Sequence, residues 1–148
     1  MNLERFKELF NPLPGNHYLE VTTIKDEISV LFQDMMDSVG GVFNLILYNE
    51  QNLNFEQPFR AMPRDHDAVV LKDVISQHTN QDMLIKLSYL TLANTANIII
   101  LEKKGVIDVD KLKSKLESME FRAPNAIDII DGYDLVIAKK MHMWGNGL

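Results

Sequence analysis

The chain has 148 residues, 46% of them hydrophobic and 24% charged, the size and balance of one globular domain over residues 1–148 rather than of a disordered or two-domain chain. It contains no cysteine, which excludes disulfides, thiolate metal sites, iron–sulfur clusters and cysteine nucleophiles and makes a reducing, cytoplasmic setting the expectation. The net charge is −6 and the basic residues are scattered, which argues against a nucleic-acid backbone as partner, and no apolar run approaches the roughly 18–20 residues that span a bilayer.

Leu3, Phe6 and Phe10 fall at helical spacing and predict a short amphipathic helix that stops at Pro12, Pro14 and Gly15, so residues 1–15 read as a helical extension. Residues 17–24, rich in β-branched and aromatic side chains, predict a first strand. Asp26 then offers a helix cap, and Ile28, Leu31, Phe32, Met35 and Val39 mark the buried face of a helix that ends at Gly40-Gly41. A second apolar strand follows over residues 42–48, with Glu50 just past its carboxyl end. Residues 51–63 are hard to read; a short strand over 54–59 competes with Pro58 and Pro63.

Residues 67–72, DAVVLK, form a continuous apolar run expected of a strand covered on both faces. A helix is expected from Asn80 to Asn94 and a buried strand over residues 96–101. Another helix follows, capped by Asp108, with Val109, Leu112, Leu116 and Met119 facing inward. Residues 126–130 and 133–138 are separated only by Asp131-Gly132, a strong signal for a tight hairpin. Alternating strands and helices imply an α/β fold, an open, mostly parallel sheet of about six strands with helices on both faces and a C-terminal antiparallel hairpin.

The run from DAVVLKD through LIKLSYLTLANTA, NIIILEKK and DVDKLKSKLESM to IDIIDGYDLVIAKK resembles the second half of a class I S-adenosylmethionine-dependent methyltransferase. The resemblance implies a Rossmann-like fold and S-adenosylmethionine as the possible cofactor. It places Thr22, Thr23 and Glu50 at the cofactor, with Glu50 on the ribose, and Asp73 and His78 near the substrate, His78 as a general base. The family's glycine-rich turn after the first strand is replaced by Val21-Thr22-Thr23-Ile24-Lys25-Asp26-Glu27, and Ala93-Asn94-Thr95-Ala96 stands where the family often has a Gly-Gly turn. A β-branched residue at a position needing positive φ would be strained. The expectation is therefore a methyltransferase-like protein with a degenerate cofactor site, acting as a binding or interaction module. The alternatives are an active transferase with an atypical pocket, or a subunit whose partner completes the site.

His17, His66, His78 and His142 show no metal-binding spacing, and no serine nucleophile elbow, phosphate loop or dinucleotide fingerprint occurs. Leu3, Phe6 and Phe10 at one end and Met143 and Trp144 at the other are the candidate contacts for a protein partner or a second copy of the chain.

Overall fold

The computed structural model describes residues 1–49 and 63–141. Its elements alternate as the apolar periodicity requires: α1 (Glu4–Lys7), β1 (His17–Thr22), α2 (Glu27–Val39), β2 (Val42–Leu47), β3 (His66–Lys72), α3 (Gln81–Thr91), β4 (Leu92–Lys103), α4 (Val109–Ser118), β5 (Phe121–Ile127) and β6 (Tyr133–Lys140). The six strands form one sheet in the order β2-β1-β3-β4-β6-β5. The pairs β1–β2, β1–β3 and β3–β4 are parallel, and β6 runs antiparallel between β4 and β5.

Both faces of the sheet are covered, which is why its central strands read as unbroken apolar runs. On one face Leu19, Val21, Val69, Leu71, Ile98 and Ile100 meet α3 and α4 through Leu84, Ile85, Leu112 and Leu116. On the other, Tyr18, Ala68, Val70, Ile99 and Leu101 meet α2 through Ile28, Phe32, Met35 and Met36. The predicted caps are in place. Asp26 accepts from the Ile28 N–H and forms a capping box with Ser29, Gly40 closes α2 in the left-handed region, and Asp108 accepts from the Lys111 N–H.

Three expectations need correction. The first helix is a single turn, continued to Phe10 by isolated turn hydrogen bonds. Phe6 is fully buried and packs edge-on against Phe10 and Phe32 at 5.2 and 5.8 Å, so this side chain seals the chain's own core rather than facing a partner. The third helix stops at Thr91 instead of Asn94, and β4 starts at Leu92. Its pairing to β3 jumps from His66↔Leu92 to Ala68↔Asn97, and Thr95, at φ 72°, sits in the extra length this bulge absorbs. Finally, the hairpin around Asp131-Gly132 is not a two-residue turn. β5 starts earlier, at Phe121, and ends at Ile127, because Ile130 leaves the ladder to be buried on the α2 side. Gly132, at φ 81°, turns the chain into β6.

Candidate functional site at the carboxyl edge of the sheet

β1 connects through α2 to β2 on one side, while β3 connects through α3 to β4 on the other. The strand order therefore reverses between β1 and β3, and in open α/β sheets this is where a crevice forms outside the carboxyl ends. Thr22 and Lys72, the last residues of the two strands, are partners in the β1–β3 register.

Lys72 dominates this place. Its side chain is 4% exposed, and its ammonium lies 2.8 Å from Asp26 in the cap of α2 and 3.0 Å from Asp73 at the end of β3. The ion pair to Asp26 spans the two connections that diverge at the switch point. Burial works against the charge on Lys72, but the hydrogen bonds from Asp26 and Asp73 outweigh it and leave the pKa above the ordinary lysine value. The Tyr133 hydroxyl donates to Asp73 at 3.4 Å, and the Lys72 ammonium lies 5.5 Å from the centre of the Tyr133 ring.

Beneath this bridge Glu20 is completely buried on the same sheet face. The Ser29 hydroxyl donates to its Oε1, while Oε2 has no hydrogen-bond partner. Burial pushes its pKa up to about 7, against the lowering effect of the Ser29 bond. On the opposite face Glu102 is also buried, and burial raises its pKa although Ser76 and the Ile75 backbone donate to it.

The residues predicted for the site are distributed as follows. Thr22 is buried, its Oγ1 accepting from the Ile24 N–H at 3.4 Å, whereas Thr23 is half-buried. Neither takes a positive φ, so the glycine-free turn is unstrained; it follows a path that threonine accepts. Asp73 does sit at φ 58°, held there by its N–H bond to the Leu101 carbonyl at 2.9 Å. His78 is buried, and its Nδ1 accepts from the Asn80 N–H at 2.8 Å, which places the proton of the neutral ring on Nε2. Burial lowers its pKa. Glu50 lies outside the described residues, as do His142, Met143 and Trp144.

Asp73 thus joins the charge cluster, while His78 turns the chain into α3. Glu20, Lys72, Glu102 and Tyr133 belong to the site without having been singled out from the sequence. The available signal was a charge inside or directly after an apolar strand, as in YLEVT, VVLK and IILE, since charged groups are buried only when paired or shifted toward neutrality. Among the described residues no group of three or more histidine, aspartate or glutamate side chains is arranged to hold a metal ion, and no helix is long and apolar enough to cross a membrane.

The same architecture recurs in solved structures. A methyltransferase dependent on S-adenosylmethionine from Aquifex aeolicus superposes with a TM-score of 0.73 at 12% identity, over 95% of this chain and 90% of the other. The fold is that of the class I methyltransferases. Phosphoethanolamine N-methyltransferase 2 of Haemonchus contortus, in complex with phosphomonomethylethanolamine and S-adenosylhomocysteine, superposes with a TM-score of 0.67 at 9% identity, over 93% of this chain and 51% of its own. One chain of a Haloferax volcanii complex between the Trm112 methyltransferase activator and a methyltransferase matches with a TM-score of 0.66 at 7% identity, over 93% of this chain and 88% of its own. No family model and no curated protein sequence matches the chain. The likeness is therefore one of methyltransferase fold.

Proposed function

We propose that this methyltransferase-fold chain is a binding or interaction module whose cofactor crevice is given over to an internal charge network. The observation that carries the proposal is the Lys72 bridge between Asp26 and Asp73 across the switch point. On this reading an adenosylmethionine seated over the ends of β1 and β3 would have to displace or separate these groups, and parting a largely buried ammonium from its carboxylates leaves uncompensated charge. The side chain of Thr22 and the absence of glycine from residues 21–27 support the same reading, because close approach of a ligand to the backbone there depends on missing side chains.

The complex of the Haloferax volcanii neighbour with an activator supports a protein as the bound partner, with Met143 and Trp144 as the proposed contact. A second reading, an active transferase using Thr22, Thr23 and Glu50 for the cofactor and Asp73 and His78 beside the substrate, draws support from the neighbour that carries S-adenosylhomocysteine. Calorimetric titration of the full chain with S-adenosylmethionine and S-adenosylhomocysteine separates the two. The module reading expects no binding heat at millimolar ligand. Micromolar binding that weakens in Glu50→Ala would replace it with the transferase.

A further inference from the structure

The opposite edge of the sheet, at the amino ends of the parallel strands, carries a cleft of about 880 Å³ lined by Pro63, Arg64, Tyr89, Leu90, Glu120 and Lys140. Small-molecule sites fall within about 300–1,000 Å³ and combine mostly apolar walls with a few fixed polar groups. The apolar share comes from Pro63, the ring of Tyr89 and Leu90, which is 48% exposed although it is a leucine.

Two cations face this volume. Lys140 is buried, with its ammonium donating to the carbonyls of Tyr89 and Leu92, both at 2.7 Å, and lying 4.5 Å from the centre of the Tyr89 ring. It neutralises the carboxyl end of α3, yet no carboxylate pairs with it among the described residues. Arg64 is exposed and likewise has no ion pair among them. Its backbone is fixed at φ 56° by the bond from its N–H to the Leu90 carbonyl at 2.9 Å, and the next N–H, of Asp65, donates to Thr91 at 2.9 Å. Arg64 is near enough to Lys140 that its charge, after burial, helps lower the lysine pKa. Glu120 is the one acidic residue of the lining, so the cleft keeps a net positive charge.

We propose that this cleft binds a small amphiphilic anion, an aromatic or branched apolar body bearing one carboxylate or phosphate, with the anionic group on the Arg64 guanidinium and the body against Tyr89, Leu90 and Pro63. Guanidinium presents a planar fork of donors that matches either head group, and the buried Lys140 adds attraction in a region of low dielectric. The site lies on the edge away from Lys72 and Glu20.

The test is a titration of the isotope-labelled full chain with indole-3-acetate and phenyl phosphate, followed by amide chemical shifts, with indole-3-acetamide as the uncharged counterpart. The expected result is saturable shifts around Arg64, Tyr89, Leu90 and Lys140, the acetamide binding about tenfold more weakly, as the loss of a charge-assisted hydrogen bond implies. Arg64→Gln, at an exposed position, should weaken both anions about tenfold with an unchanged melting temperature, and Glu120→Gln should strengthen them about two- to threefold by removing a like charge. With phenylacetate titrated alongside to keep the phenyl body constant, tighter binding of phenyl phosphate than of phenylacetate would identify the head group as phosphate, and the reverse order as carboxylate. The proposal is overturned by equal binding of acetate and acetamide, by affinity unchanged in Arg64→Gln, or by shifts that do not saturate or lie elsewhere.

Discussion

At the carboxyl ends of β1 and β3, Lys72 is shared between Asp26 and Asp73, with Glu20 buried beneath it. At the amino edge, Arg64 and Lys140 face an open cleft with no paired carboxylate among the described residues. The first arrangement holds its ammonium between two carboxylates, and on the proposed reading it leaves a ligand little to gain. The second leaves positive potential over an apolar wall, which a ligand can use. In a sheet whose topology directs ligands to the carboxyl edge, the difference shows how side-chain chemistry sets the two edges of one fold apart.

The sharpest way to break this contrast is Lys72→Met. If the bridge is structural, removing the ammonium leaves Asp26 and Asp73 facing each other near a buried Glu20, and chemical unfolding should show a loss of about 3–5 kcal/mol. A loss below about 1 kcal/mol, the range of an exposed pair, would reduce the bridge to a surface interaction and reopen the crevice as a ligand site.

Glu20→Gln comes next in size. Glu20 has a folded pKa of about 7 against an ordinary value of 4.5, so folding takes up a proton between these values. The stability associated with neutral Glu20 is fully present below pH 4.5 and is lost as the pH rises through 7. The amide cannot ionise. Relative to the wild type it should therefore be favoured by roughly 3 kcal/mol more at about pH 9 than at about pH 4, measured by urea unfolding at both. Parallel pH profiles for the two proteins would mean that Glu20 is ionised in the fold and that its carboxylate is another partner of Lys72.

The smallest effect belongs to the amino edge. Thr95 holds a β-branched side chain at φ 72° on an exposed bulge, and Thr95→Gly should raise stability by about 1 kcal/mol, seen as a higher unfolding midpoint. A fall instead would mean that the threonine side chain holds the bulge that displaces β4 from the regular register.

How much of this was legible in the sequence differs between the two edges. Asp26, Gly40, Asn80 and Asp108 announced helix ends correctly because capping is local chemistry, settled by residues two or three positions apart. The Asp131-Gly132 signal located the hairpin but not its length, since the burial of Ile130 against the α2 side is a tertiary event. For the candidate site, the sequence marks Asp73 by its position after a strand, whereas Glu20 and Lys72 lie within the predicted strands and nothing local beyond their charge singles them out. Their meaning required the β1–β3 register, which joins residues separated by about fifty positions. The Arg64–Lys140 cleft joins residues still further apart and carries no local pattern at all.

By itself the sequence determined the alternation of strands and helices, the two-sided burial of the central strands, the helix caps and the absence of a glycine-rich turn after β1. These follow from periodicity and short-range hydrogen bonding. Only the tertiary structure decided that Phe6 seals the core, that His78 accepts a backbone proton donor, and that Lys72 bridges Asp26 and Asp73 at one edge while Arg64 and Lys140 line a cleft at the other. These outcomes depend on which distant side chains share a low-dielectric space, where pairing, burial and protonation are settled together.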